Sequence, residues 1–415
     1  MRSMPDSAAP GAAVVDKRRR GRPPWHRWRT WLTPAAAAVA IAVAVAVTLM
    51  AVRNAPAGRS AALPPAASAN GVPEYYVALP PVSSLGFFSS APDAVVGDTL
   101  TGTRVATVPA PKGLGFGGVT AADDDRTFAL AVQPRSSSPQ SVPTRWYLLR
   151  LTPGAAPSAT LRQLPIPAQP VLGDTFSMAL SPDGAMLAIA TETEPPVTML
   201  RVYSTATGAL LHTWSAPPRE SHGIETLSLV SWASEGRQLT FQASASTNGP
   251  VAVRLLPADD PGHDLLADSR PVVTFMTSLS SPHNCIDSFV VAGNGQTVVC
   301  GSSAQAPGPA SYTGKRACVA GTRLYNTAVL QFSAVTGKLA GTLYQLGTSC
   351  QMPGDLALFW ANDAGTAVLG YSGYSPEGES TVQTVGQFGL FTKGKFTPLP
   401  APLESFQGYP SITAW

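Results

Sequence analysis

The sequence predicts an all-β protein, a six-bladed β-propeller that is closed by its C-terminal strand and preceded by one membrane-spanning helix. Forty prolines and thirty-seven glycines in 415 residues indicate many turns. No long window shows the 3.6-residue apolar period with caps that a soluble helix needs. A unit of two short hairpins recurs along the chain instead, which is the pattern of a propeller blade.

Residues 1–30 are predicted to be a disordered cytoplasmic tail. They hold eight basic residues against Asp6 and Asp16, a net charge of +6, and few apolar side chains that could pack. Residues 20–24 (RGRPP) resemble the core of an AT-hook, which would bind the minor groove of DNA. Because the charges directly precede an apolar segment, a role beside a membrane is the stronger interpretation.

Residues 31–52 are predicted to cross a membrane as a helix. The segment has 22 residues without a charge, and about 20 apolar residues span a bilayer core. The basic cluster lies before it, and only Arg53 and Arg59 follow soon after, so the N-terminus should stay in the cytoplasm and the rest should lie outside. A cleaved signal peptide is the alternative, but the long leader and the long apolar run favour an uncleaved anchor.

Residues 53–72 are rich in Ala, Pro, Ser and Gly and are predicted to be a linker. The remainder, residues 73–415, is predicted to be the propeller. From Asn54 onward the chain has 19 basic and 23 acidic residues, a net charge of −4. This mildly acidic balance argues against a nucleic-acid partner for that part of the chain.

The repeating unit is clearest in residues 176–217. Two apolar runs, FSMAL and MLAIA, flank the turn at residues 181–184 (SPDG), and this pattern predicts a hairpin. A second pair, VTMLRVYS and ALLHTWS, flanks residues 205–208 (TATG), whose glycine stands where such a turn needs it. Four antiparallel strands in about forty residues form one blade.

Turn glycines give the number of blades. We call the turn between the first and second strands of a blade its inner turn, and the turn between the third and fourth strands its outer turn. Outer turns end at six glycines: Gly102, Gly154, Gly208, Gly262, Gly337 and Gly394. Inner turns are recognisable at only five places: residues 123–125, 181–184, 234–236, 293–295 and 362–365.

The missing inner turn predicts how the ring closes. Residues 411–415 (SITAW) resemble the innermost strands that end at Trp232 and Trp360, but the chain stops where the turn should follow. Residues 75–79 (YYVAL) have the pattern of a second strand with no first strand before it. We therefore expect the C-terminal strand to complete the first blade, which removes the open sheet edges.

The segment SPDGAMLAIA, residues 181–190, resembles the Ser-Pro-Asp-Gly strand-turn-strand of WD40-like propeller repeats of the TolB type. Residues 233–242, 293–302 and 362–371 depart from that motif but keep its turn and its alternation. The whole chain resembles the membrane-anchored propellers common in high-GC Gram-positive bacteria. The resemblance covers most of the chain and implies a fold, not an activity.

The four cysteines are candidates for disulfide bonds. Cys285, Cys300, Cys318 and Cys350 fall within one blade and its flank, in a part of the chain predicted to be exported, so two disulfides are expected. Cys300 should face Phe289, four residues beyond Cys285, which would hold a direct Cys285–Cys300 bond beyond the Cα limit of about 7 Å. That pairing is disfavoured, and the other two stay open. Zinc is the weaker alternative, because CxxC spacing is absent.

No set of residues predicts catalysis, a cofactor or a metal. The sequence contains no nucleophile elbow, HExxH motif or phosphate loop, and His212, His222, His263 and His283 are scattered. Residues 123–125 (DDD) could bind calcium, but acidic residues are ordinary in a turn. Among the starts of the innermost strands, Asp287 is the one ionisable residue. An enzyme is therefore the less favoured class.

Three connections between second and third strands are unusually long: residues 134–144, 303–323 and 374–384. All three should lie on one face, where long loops on a rigid scaffold often bind ligands, although inert excursions are an equal alternative. The leading hypothesis is a membrane-tethered, non-catalytic propeller that binds a protein or glycan outside the membrane. The alternatives are an exported hydrolase or lyase, and a transmembrane sensor that uses the basic tail.

Overall fold

The computed structural model describes residues 71–80, 91–135, 141–154, 157–172, 177–193, 197–216, 226–244, 250–259, 262–275, 285, 288–305, 325–349, 353–374, 385–400 and 412–415. The predicted tail, the predicted membrane helix and nearly all of the predicted linker lie outside these residues. Within them the regular elements are all β-strands. No helix in this part of the chain is long and apolar enough to cross a bilayer.

Twenty-five strands build six sheets. In chain order, the first half comprises β1 (Tyr75–Leu79), β2 (Asp93–Asp98), β3 (Arg104–Pro109), β4 (Leu114–Ala121), β5 (Thr127–Pro134), β6 (Ser141–Leu151), β7 (Ala159–Gln163), β8 (Gln169–Leu172), β9 (Ser177–Leu180), β10 (Met186–Thr193), β11 (Val197–Ser204) and β12 (Leu210–Ser215).

The second half comprises β13 (Thr226–Ala233), β14 (Gln238–Ser244), β15 (Val251–Pro257), β16 (Arg270–Phe275), β17 (Phe289–Val291), β18 (Thr297–Gln305), β19 (Tyr325–Ser333), β20 (Leu339–Ser349), β21 (Pro353–Ala361), β22 (Ala367–Tyr374), β23 (Val385–Thr392), β24 (Lys395–Pro398) and β25 (Ile412–Ala414).

Each sheet is one blade, and the prediction of six blades is confirmed. Blade 1 has the order β25-β1-β2-β3, blade 2 has β4-β5-β6-β7, and blade 3 has β9-β10-β11-β12. Blades 4, 5 and 6 follow as β13 to β16, β17 to β20 and β21 to β24. Blade 2 has a fifth strand, β8, which pairs with the beginning of β6 while β7 pairs with its end. The sequence did not predict that strand.

The predicted closure of the ring is also confirmed. Strand β25 pairs antiparallel with β1, with Ala414 opposite Val77 and Ile412 opposite Leu79. The other edge of β1 pairs with β2, so the last strand of the chain stands innermost in blade 1. The innermost strands of neighbouring blades touch all around the ring, including β25 with β4 and with β21.

The turns form where the glycines predicted them. All six outer-turn glycines have left-handed φ angles, as do Gly184, Gly236, Gly295 and Gly365 in the inner turns. Since inner and outer turns follow strands that run in the same direction, both kinds lie at the same end of the blades. We call this end the turn face. The opposite end, which carries the links between second and third strands, is the connection face.

Apolar side chains fill the space between blades. Trp146 and Trp214, among the largest side chains, are fully buried in this way, and separate clusters of buried aliphatic and aromatic residues join each blade to the next. Hydroxyl groups on innermost strands add polar links. Ser288 Oγ accepts a hydrogen bond from Leu358 N at 2.7 Å, and Ser177 Oγ accepts one from Val230 N at 2.9 Å.

One cysteine prediction is wrong. Cys285 and Cys300 form a disulfide, with their Cα atoms 5.5 Å apart, within the range that a disulfide can bridge. Cys300 does face Phe289, as expected. The error lies in assuming that Cys285 continues the line of β17, because strand pairing ends at Phe289 and Cys285 lies back against β18. Cys318 and Cys350 lie outside the described residues.

Candidate functional site

The histidines and Asp287 do not form a site in the described structure. His212 lies on β12 and stacks on Trp214 with 5.7 Å between ring centroids. His263 lies in the loop after the outer turn of blade 4, where its backbone N–H donates to Asp268. His222, His283 and Asp287 lie outside the described residues. Among the described residues, no cluster of His, Cys, Asp and Glu could hold a metal ion.

The three aspartates of the first inner turn include two with structural roles. Asp124 Oδ1 accepts hydrogen bonds from the backbone N–H groups of Arg126 and Thr127, at 3.0 and 2.7 Å. Asp125 Oδ2 accepts one from Glu74 N at 3.1 Å, which ties blade 2 to the start of blade 1. Asp124 therefore forms the turn, as expected, whereas the Asp125 carboxylate joins two blades.

A cluster around Arg126 strengthens the same junction. Its guanidinium forms an ion pair with Glu74 at 2.6 Å and donates to the carbonyl oxygen of Thr152 at 3.2 Å. The guanidinium carbon also lies 5.0 Å from the centre of the Tyr75 ring. Arg126 thus holds the first strand of the described chain against blade 2.

The described residues form a cavity of about 740 Å³ on the propeller axis at the turn face. The innermost strands of the blades supply its wall, with apolar side chains that include Val119, Met178, Leu229 and Phe359. Inner turns form the rim of the cavity. Blade 1 has no inner turn, and Gly71, Val72 and Pro73 occupy that place on the rim.

Ionisable side chains at this cavity are confined to its rim. Among the described lining residues they are Asp123, Asp125 and Asp363. Burial raises the pKa of Asp123 to about 6, and the carboxylates of Asp363, Asp124 and Asp183 add to the rise. Part of the Asp123 side chain is open to the cavity. The surrounding turns and the neighbouring carboxylates make its ionisation less favourable than that of a fully solvated aspartate.

Burial also raises the pKa of Asp125 to about 6, although the hydrogen bond from Glu74 N acts in the opposite direction. Asp125 is 8% exposed. Both carboxyl groups thus have raised pKa values, and the charge of Asp123 adds to the rise at Asp125.

The described lining does not contain the partners that nucleophilic catalysis needs. It has serines but no His, Lys, Cys or Glu that could activate them. Ser177 Oγ accepts the N–H of Val230, and the Ser231 hydroxyl shares a hydrogen bond with Thr240. These hydroxyl groups therefore connect strands within the described wall.

The connection face carries the three long links that the sequence singled out. Strands β18 and β19 pair as far as Gln305 opposite Tyr325, and β22 and β23 pair as far as Tyr374 opposite Val385. Strands β5 and β6 of blade 2 pair as far as Val132 opposite Arg145. All three hairpins therefore open toward the same face, as predicted, while most residues of the links lie outside the described structure.

Comparison with known proteins finds similar solved structures but no matching family model and no matching curated protein. Similar solved structures include a putative TolB from Agrobacterium tumefaciens, with 13% identity, a TM-score of 0.40, and coverage of 71% of this chain and 83% of that chain.

A second is the β-propeller domain of the Trilobed protease from Pyrococcus furiosus, with 9% identity, a TM-score of 0.36, and coverage of 69% and 72%. Hydrazine synthase of Kuenenia stuttgartiensis also matches, with 12% identity, a TM-score of 0.39, and coverage of 70% and 67%. At such identities and scores the likeness carries no argument about function. The number of blades rests on the sheet topology of this chain.

Proposed function

We propose that this protein is a membrane-tethered propeller that binds a protein or glycan outside the membrane and does not catalyse a reaction. One observation carries the proposal: the three long links that the sequence singled out, in blades 2, 5 and 6, all leave a rigid ring at the connection face. Long loops on a rigid scaffold are a common place for binding residues, since the scaffold fixes their ends. The described cavity wall, without a base beside its serines, agrees with binding.

The proposed location rests on the sequence before the propeller. Residues 31–52 would anchor the chain, residues 1–30 would stay in the cytoplasm, and the propeller would lie outside. The Cys285–Cys300 disulfide supports export, because disulfides persist in oxidising compartments and are rare in the cytosol.

Shortening the longest link tests the proposal. Gln305 and Tyr325 are paired across β18 and β19, so an Asn-Gly turn can replace residues 306–324 without moving the strands. Cys350→Ser should accompany the change, because the replaced segment contains Cys318. The full chain with and without the long link would be compared by photo-crosslinking on intact cells and by binding to a glycan array.

We expect the shortened chain to reach the membrane in normal amounts and to lose its crosslinked partner or its glycan signal. Cys350→Ser alone, with the long link intact, is the matched control. Unchanged binding by the shortened chain would exclude this link as the binding site. Turnover of a glycan, lactone or ester by the full chain, lost on Asp287→Ala, would instead establish an enzyme.

A further inference from the structure

Exposed apolar and basic side chains share one sector of the turn face. This sector comprises the outer turns of blades 5, 6 and 1 and the residues beside them. Its apolar members are Val335, Leu339 and Leu100, which are 71%, 41% and 45% exposed. Its exposed basic members are Lys338, Lys393, Lys395 and Arg104. We call this set the apolar-basic sector.

Packing between blades makes the sector continuous. The backbone N–H of Gly394, in the outer turn of blade 6, donates to the carbonyl oxygen of Leu343 in blade 5 at 2.8 Å. Gly102, in the outer turn of blade 1, packs against Pro400, which follows the last strand of blade 6. The three outer turns therefore lie side by side along the rim.

Charge distinguishes this sector from the other side of the ring. Its acidic member, Asp98, accepts hydrogen bonds from the backbone N–H groups of Leu100 and Thr101 and so helps to form the turn. Asp363 borders the sector on the side of the axis. Blade 4, which stands opposite blade 1, has Asp259, Asp264 and Asp268 at and after its outer turn, although Asp264 and Asp268 also accept hydrogen bonds from backbone N–H groups and the exposed Arg270 follows them. Anionic surfaces would therefore meet this face through blades 5, 6 and 1.

The chain enters the described structure on the same face. Gly71, Val72 and Pro73 line the cavity mouth beside the inner turns. Only the linker of residues 53–70 separates them from the proposed membrane span. A flexible linker of that length has a root-mean-square reach of about 25 Å. A tether that enters at the turn face would favour approach of that face to the bilayer over approach of the connection face.

We propose that the apolar-basic sector docks on the surface of the bilayer that anchors the chain. Val335, Leu339 and Leu100 enter the headgroup region, and the neighbouring lysines and arginine contact anionic lipid headgroups. The inference rests on the proposed membrane anchoring. It extends that proposal, because docking through the turn face directs the three long links away from the membrane, toward partners outside.

Strand β20 offers a matched pair of positions for the test. Ala340 lies beside Leu339, whereas Leu346 lies toward the connection face on the same strand and is 38% exposed. An azide-bearing amino acid would replace Ala340 or Leu346 in the full chain and would be coupled to an environment-sensitive dye. The chain would be reconstituted into phosphatidylcholine vesicles with and without phosphatidylglycerol, and alkaline carbonate extraction would separately report anchoring.

We expect the dye at position 340 to move to a less polar environment in vesicles with phosphatidylglycerol, and the dye at 346 to stay in water. Neutralising Lys338, Lys393 and Lys395 to Gln should lower the ratio of docked to undocked protein by roughly fivefold per lysine. Lys112→Gln is the control, because Lys112 is exposed in a link on the connection face. High salt should act as the three substitutions do, since it screens surface charges.

Equal dye signals at 340 and 346 in a chain that resists carbonate extraction would overturn the docking proposal and leave anchoring intact. A signal that does not respond to the three lysine substitutions would also overturn it. A chain released by carbonate would refute anchoring and docking together.

Discussion

Trp415 stacks on Phe388, with ring centroids 5.1 Å apart and an angle of 8° between the rings. Trp415 follows β25 of blade 1, whereas Phe388 lies on β23 of blade 6. The Trp415 ring also lies 5.3 Å from Phe359 and 5.9 Å from Tyr76. One aromatic side chain therefore joins the first and last blades at the point where the ring closes.

Trp415→Ala should strongly destabilise the propeller. Trp415 is 7% exposed, and removal of a buried aromatic side chain costs about 3 to 5 kcal/mol. This is a large part of a typical total stability of about 5 to 15 kcal/mol. Urea unfolding of the variant checks the prediction, with Leu346→Ala at an exposed site as the control. Equal midpoints for the variant and the parent would show that the contact between blades 1 and 6 does not hold the ring closed.

Turn chemistry explains why so much of the fold was predictable. Gly208 and Gly337 indicate outer turns in the sequence, because few other residues adopt a left-handed φ without strain. The absence of an inner turn before Tyr75 likewise predicted that the C-terminal strand, which ends at Trp415, pairs with the strand that begins after Pro73. These signals are local, so they survive where the strands themselves vary.

Contacts between distant residues were not predictable in the same way. The Cys285–Cys300 bond depends on where β17 begins, and the pattern of apolar residues does not show that boundary. The burial of Asp125 depends on Glu74, 51 residues away, whose N–H meets its carboxylate. The cavity rim likewise unites turns from different blades. Such sites follow from the closed ring and not from any single blade.

The Cys285–Cys300 disulfide should stabilise the folded state by about 3 kcal/mol, the value for a closed loop of roughly 15 residues. Cys285→Ala and Cys300→Ala should therefore lower the midpoint of urea unfolding by equal amounts, and the double variant should add little to either. This equality is the internal control. A double variant that loses the sum of the two single effects would show that the cysteines act separately.

Alanine substitutions at two outer-turn glycines can distinguish the cost of backbone strain from the cost of a steric clash with the neighbouring blade. Gly394 and Gly337 have φ angles of 68° and 69°, so alanine strains the backbone equally at both. A Cβ on Gly394 meets open space, whereas one on Gly337 would lie 2.6 Å from the carbonyl oxygen of Val272. Gly337→Ala should thus cost about 1 to 3 kcal/mol more than Gly394→Ala, measured by urea unfolding. Equal losses in stability would mean that the backbone at Val272 of blade 4 shifts without cost to make room for the added methyl group.

Lower pH should reduce the cost of burying the Asp125 carboxyl group in the folded state. Burial raises the pKa of Asp125 to about 6, so the folded state binds a proton more tightly than the unfolded state. The contribution of this group is therefore most favourable below about pH 4 and declines as pH rises through 6. Asp125→Asn keeps an acceptor for Glu74 N and removes the charge. The variant should lose stability less steeply than the parent between pH 4.5 and 7.5 in urea titrations, and an unchanged slope would contradict the assignment.

Membrane topology provides the last prediction. The basic cluster of residues 1–30 resists translocation, so the tail should remain in the cytoplasm and the propeller should lie outside. Protease added to intact spheroplasts that express the full chain should degrade the propeller and spare a tag placed on the tail. The control is the same treatment after the membrane is permeabilised, which should remove the tag as well. Protection of the propeller in intact spheroplasts would reverse the orientation, and it would also place the Cys285–Cys300 pair in a reducing compartment where disulfides rarely persist.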